Sequence, residues 1–188
     1  MIYFGYGVMG AAKTMNALKI VYDYETRAKL VLLLSNSELV ESRLGLKHEA
    51  ICFHNLTMEK LNQLLSENEY SAIIIDEVQF CPMDILQRVL QLETKYPVYC
   101  YGLYMNSNGT APFDQSQYVM DRAKIKQEFY SVCEYCNQLA ERHVALDDYN
   151  RIILNAKDVI RPKSAYKSIC NKCFKKIQTI DYKKKSEP

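Results

Sequence analysis

Gly7-Val8-Met9-Gly10-Ala11-Ala12-Lys13-Thr14 is the stretch that decides how this chain folds. Ile2-Tyr3-Phe4 before it has strand character, and Met15 to about Tyr24 after it has the apolar spacing of an amphipathic helix. Strand, small-residue loop and helix start, in that order, form the context in which G-x-x-x-x-G-K-[ST] binds phosphate. Small residues let successive backbone N–H groups close around an anion, and the helix start adds partial positive charge. Lys13 reaches the outer phosphates and the Thr14 hydroxyl ligates Mg²⁺, so the motif points to a nucleoside triphosphate. Alanine stands at position 12, where the motif has its second glycine. A left-handed backbone there would strain alanine by about 1 kcal/mol; a helical one would cost little.

A second motif complements the first. Ser71-Ala72-Ile73-Ile74-Ile75 is an apolar run of strand length, closed by Asp76-Glu77-Val78-Gln79-Phe80. Such a buried parallel strand ending in an acid is the usual partner of a phosphate loop. Asp76 is expected to hold Mg²⁺, and Glu77 beside it to accept the proton of an attacking hydroxyl or water.

Working outward, strands are expected near 2–6, 29–34, 50–53, 71–76 and 97–102. Helices are expected near 14–26, 57–67 (capped by Thr57) and 83–95, with a weaker one at 118–128. Alternation of the two implies an α/β fold, a parallel sheet with helices on both faces. Its ligands belong beyond the carboxyl ends of the strands, where both motifs lie. The pattern changes after about Tyr130. The expected division is 1–130 as the ATP-binding α/β domain, 131–181 as a small zinc-ribbon subdomain with a long loop, and 182–188 as a charged tail.

Seven cysteines with no export signal argue against a disulfide framework. Four fall in pairs, Cys133-x-x-Cys136 and Cys170-x-x-Cys173, with 33 residues between. Each pair forms a knuckle aiming two thiolates at one ion, and two knuckles complete a tetrahedral structural Zn²⁺ site. Cys52, Cys81 and Cys100 read as small core residues. A formal charge of +2 gives no general attraction to nucleic acid, and Lys183-Lys184-Lys185 reads as a solvated tail. With no apolar run of bilayer-spanning length and no secretory signal, the expectation is a soluble cytoplasmic protein without a membrane partner.

The order of these parts resembles the thymidine kinases of the zinc-containing, tetrameric type. Gly7 to Thr14, Asp76 to Phe80, Cys100-Tyr101-Gly102-Leu103, Ser116-Gln117-Tyr118, Cys133/Cys136 and Tyr166-Lys167-Ser168-Ile169-Cys170 with Cys173 carry the resemblance. It implies transfer of the ATP γ-phosphate to the 5′-hydroxyl of thymidine or deoxyuridine by a homotetramer. Gly7–Thr14 and Asp76 to Gln79 would bind ATP, with Mg²⁺ on Thr14 and Asp76 and Glu77 as the base. Phe80, Phe113 and Tyr166 would meet the nucleoside, the last from a lasso anchored at both ends by zinc. The chain departs from the family at Ala12, at Ser107 in place of a base-pocket aromatic, at Arg161-Pro162 in place of a glycine pair, and in lacking an Asp-x-Arg segment after the second strand. These departures frame an alternative, a nucleotide-binding relative with a lost or altered nucleoside substrate. A second alternative, a zinc-ribbon nucleic-acid binder, leaves the phosphate loop unexplained.

Overall fold

The computed structural model describes residues 1–106, 109, 111–147, 152–153 and 166–177. The chain forms two compact units. The first comprises Met1–Gly7, Ala12–Tyr104 and Pro112–Phe129; the second takes Val8–Ala11, Met105–Ala111 and the chain from Tyr130 onward.

In the first unit the elements run β1 (Ile2–Gly7), α1 (Lys13–Glu25), β2 (Val31–Ser35), β3 (Leu39–Glu41), β4 (Lys47–Glu49), β5 (Ile51–Cys52), α2 (Met58–Glu67), β6 (Ala72–Ile75), α3 (Met83–Gln91), β7 (Val98–Gly102), α4 (Asp114–Arg122) and β8 (Ile125–Phe129). Six strands pair in the order β5-β2-β6-β7-β1-β8, every pair parallel. The fold is therefore the expected α/β sheet.

The isoleucine run explains the layering. Ile73, Ile74 and Ile75 are each 0% exposed, so β6 is covered on both faces. Burying each such side chain contributes about 2 kcal/mol. Strand alternation sends Ile73 and Ile75, with Phe4, Leu32, Leu34 and Cys100, into one core with Leu61 of α2, Ile85, Leu86 and Val89 of α3 and Val119 of α4. Ile74, Leu33 and Tyr101 face the other way, against Ala17, Leu18 and Val21 of α1. Thr57 caps α2 by accepting the Lys60 N–H at 3.1 Å, as its sequence position suggested.

Three elements differ from the sequence reading. Helix α3 stops at Gln91 and tightens into a 3₁₀ turn over Leu92–Thr94. The weak helix at 118–128 is instead α4, ending at Arg122, followed by strand β8 at the sheet edge. Residues 125–128 of β8 are exposed, so no apolar alternation announced the strand. Pairing with β1 creates it: Gly7 pairs with Phe129, and a Cβ on Gly7 would lie 2.1 Å from the Phe129 carbonyl oxygen. The third is the unforeseen β3–β4 hairpin, whose turn holds Gly45 at φ +83.

That hairpin is tied to α1 by His48, whose Nε2 lies 2.9 Å from Glu25 Oε1. Burial works against the imidazolium, but Glu25 and the Glu49 carbonyl outweigh it and raise the His48 pKa. A raised folded-state pKa contributes stability that is fully present below the unfolded value, about 6.5, and is lost as pH rises through the folded value. The thermal midpoint should therefore fall between pH 6 and 8 by an increment that Glu25→Gln abolishes. A parallel fall in that variant would remove the pair as its source.

The second unit is built from β9 (Ser131–Val132), β10 (Leu139–Ala140), β11 (Arg142–Ala145) and β12 (Tyr166–Ile169), paired antiparallel as β9–β10 and β11–β12. Its core gathers Cys133, Val144, Leu146, Ile152, Ile169 and Cys170. Among the described residues, no helix is long and apolar enough to cross a membrane.

Candidate active site

The phosphate loop joins β1 to α1. Gly10 has φ +75 and Ala12 has φ 58, ψ 21, so the alanine occupies the left-handed conformation that the motif reserves for glycine. Its carbonyl accepts the Asn16 backbone N–H at 3.1 Å and the Asn16 side-chain amide at 3.0 Å. No side chain caps α1, and its first turn carries no acid. The helix dipole places partial positive charge at this end, where an anion is favoured. Lys13 opens the helix and is only 8% exposed.

Ala12→Gly should relieve the strain, minus the extra chain entropy glycine loses on folding. A net gain of about 0.5–1 kcal/mol is expected, seen as a rise of roughly 2 °C in thermal midpoint. A lowered midpoint would mean that alanine is not strained here.

Asp76 follows the last residue of β6 and is 3% exposed. Its backbone N–H donates to the Leu34 carbonyl at 2.9 Å. The register Ile75↔Cys100 and Phe4↔Cys100 puts the ends of β6 and β1 at one edge of the sheet, with only β7 between them. That spacing is about 9–10 Å. Glu77 is the next residue, partly buried, at φ 56 and ψ 44. Non-glycine residues rarely adopt this conformation, and where they do the backbone is strained by about 1–3 kcal/mol. Val78–Phe80 then form a 3₁₀ turn in which Val78 and Gln79 are buried. The oxygen-rich pair of Thr14 and Asp76 suits a hard cation such as Mg²⁺.

In the second unit Cys133 and Cys136 lie in the β9–β10 turn, where the Asn137 N–H donates to the Cys133 carbonyl at 3.0 Å. Cys170 and Cys173 follow β12, and the Cys173 N–H donates to the Cys170 sulfur at 3.4 Å. All four sulfurs lie within 4.8 Å of one another. Tetrahedral zinc spaces its sulfurs about 3.8 Å apart, so this donor set fits structural Zn²⁺. Burial pushes the Cys133 thiol up. Backbone N–H groups of Cys170, Tyr135 and Cys136 outweigh it and bring it down to about 6, as a thiolate ligand requires. Cys173, hydrogen-bonded to Cys136, is pushed up to about 12. Cys81 and Cys100 are buried core residues, as expected.

The thymidine kinase family model matches residues 1–174, taking in the phosphate loop, the Asp76-Glu77 strand end and both cysteine pairs. The chain belongs to the thymidine kinase family. Proteins named thymidine kinase that it resembles include those of Francisella tularensis subsp. tularensis (27% identical; 93% of this chain and 96% of that one), Shewanella oneidensis (28%; 94% and 97%) and Enterococcus faecalis (26%; 96% and 97%). A solved structure, Bacteroides Pif1 bound to ssDNA, overlaps at a TM-score of 0.33 with 15% identity over 64% of this chain and 32% of that one, too loosely to carry an argument.

The residues singled out from the thymidine kinase resemblance are placed as follows. Phe80 and Phe113 meet edge to face, ring centroids 6.1 Å apart. Tyr166 opens β12 and stands edge-on to His143 at 6.1 Å. Ser107, Arg161 and Pro162 lie outside the described residues, as does Lys183-Lys184-Lys185. The place of the missing Asp-x-Arg segment is taken by a short connection into the β3–β4 hairpin, with Arg43 exposed in its turn.

Two links escaped the sequence. Ser168 of β12, 4% exposed, donates from its hydroxyl to the Met9 carbonyl of the phosphate loop. Buried Gln79 bridges Glu77 and Leu103. A buried glutamine or serine inside a motif is the one sequence signal that such bonds leave.

Proposed function

We infer that this chain is an ATP-dependent thymidine or deoxyuridine kinase acting in nucleotide salvage in the cytoplasm. The observation that carries the reading is the uncapped N-terminus of α1 with Lys13 at one strand end and the Asp76-Glu77 pair at the end of another, two places along the same edge. Phosphoryl transfer asks mostly for positioning and charge neutralisation. Backbone N–H groups of the loop and Lys13 hold the β- and γ-phosphates in line. Thr14 and Asp76 would hold Mg²⁺, which when bound neutralises charge on the phosphate oxygens. Glu77 accepts the 5′-hydroxyl proton as the oxygen attacks the γ-phosphorus. Phe80, Phe113 and Tyr166 bind the nucleoside, and Val78 and Gln79 close the segment behind Asp76 and Glu77. The four cysteines hold structural zinc and anchor the lasso; the chain assembles as a homotetramer.

A second reading, nucleotide binding with an altered nucleoside, is favoured by the strained Ala12. The test is transfer of the ATP γ-phosphate to thymidine, deoxyuridine and the other deoxynucleosides in parallel. Thymidine monophosphate formation supports the first reading. Transfer only to another nucleoside supports the second, and no transfer with ATP bound overturns the kinase.

A further inference from the structure

We propose that Gln79 is the positioning residue of the transfer step, a buried amide that holds the Glu77 carboxylate in its catalytic orientation. The inference rests on Glu77 being the proton acceptor. Gln79 is 3% exposed. Its Oε1 accepts the Leu103 backbone N–H at 2.9 Å, and its Nε2 donates to Glu77 Oε2 at 2.6 Å.

The orientation of the amide is not a free choice. A backbone N–H can only donate, so the oxygen of Gln79 must face Leu103 and the NH₂ must face Glu77. Leu103 is fixed in turn, because its carbonyl accepts the hydroxyl of fully buried Ser116 on α4 at 2.5 Å. Gly102 makes room for the clamp: a Cβ there would sit 2.4 Å from Gln79 Oε1. The chain Ser116–Leu103–Gln79–Glu77 thus runs from a helix in the core to the carboxylate.

Glu77 needs such a tether. Its strained backbone sets the direction of the side chain, but three rotatable bonds remain. The amide ties one oxygen and adds no charge, whereas a lysine in its place would hold the carboxylate and also compete with the proton it must take. Misplacing a catalytic group by about 1 Å costs on the order of 10²-fold in rate.

The experiment compares variants of the full chain in steady-state transfer to thymidine. Gln79→Glu keeps the acceptor for Leu103 and presents an oxygen to Glu77. Gly102→Ala crowds the amide from behind and leaves both side chains intact. Glu77→Gln reports on the base itself. The expected result is a 10- to 100-fold loss of kcat in Gln79→Glu and a smaller loss in Gly102→Ala. KM for ATP and thymidine should stay within about threefold, and thermal midpoints should show folded protein. In a Glu77→Asp background, already displaced from the clamp, Gln79→Glu should add little. Unchanged kcat in both clamp variants beside an inactive Glu77→Gln would overturn the positioning role while leaving the base in place. A raised ATP KM at constant kcat would put Gln79 on the nucleotide and overturn it as well. Full turnover in Glu77→Gln would instead remove the base reading on which the proposal stands.

Discussion

Glu77→Gln should lower kcat by about 10²–10⁴-fold while ATP affinity stays within a fewfold of the parent. The substitution is nearly isosteric and replaces the atom that takes the proton with one that cannot. Each decade corresponds to about 1.4 kcal/mol of transition-state stabilisation, so roughly 3–5 kcal/mol would be lost at the step where the 5′-oxygen attacks. The groups expected to bind the triphosphate, the first turn of α1 and Lys13, belong to a different strand end and are untouched. Backbone strain at φ 56 remains in the variant, so stability should change little. Single-turnover transfer with ATP binding measured in parallel checks both halves. Turnover within a few-fold of the parent would take Glu77 out of the chemistry.

Loss of zinc should have the larger effect on folding. Elemental analysis should give one zinc per chain, and Cys133→Ser or chelation should unfold the second unit. Its apolar core is small and includes two of the cysteines themselves. Structural zinc in small domains is worth on the order of 10 kcal/mol of apparent binding free energy, more than so small a core recovers alone. The damage should also reach the nucleotide. Ser168, two residues before Cys170, holds the Met9 carbonyl of the phosphate loop, and the Glu134 N–H between Cys133 and Cys136 donates to the Ser168 carbonyl at 3.0 Å. KM for ATP should therefore rise along with KM for thymidine. Substoichiometric zinc in active, folded protein would sink the four-cysteine site.

What was legible in the sequence was what local pattern encodes. The Ile73-Ile74-Ile75 run announced a strand covered on both faces, and Lys13-Thr14 in register after a strand announced the phosphate loop. The paired cysteines announced their own cluster. Edge strand β8 was not legible, because Lys126, Gln127 and Glu128 carry no alternation and the strand exists through its pairing with β1. The backbone at Ala12 and Glu77 was not legible either. Residue identity argues against a left-handed conformation at both positions, and only the surrounding fold imposes it. The amide clamp of Gln79 needs Gly102 and Leu103, more than twenty residues away, and no spacing rule predicts it.

The bond from Ser168 to Met9 also orders events during synthesis. Its two residues are 159 apart. At ribosomal speeds of about 5–20 residues per second, the acceptor waits roughly 8–30 s for its donor to be made. The phosphate loop therefore leaves the exit tunnel well before Ser168 is made. A nascent chain thus has all six strands of its sheet, the last ending at Phe129, some forty residues before the donor that ties the loop is made.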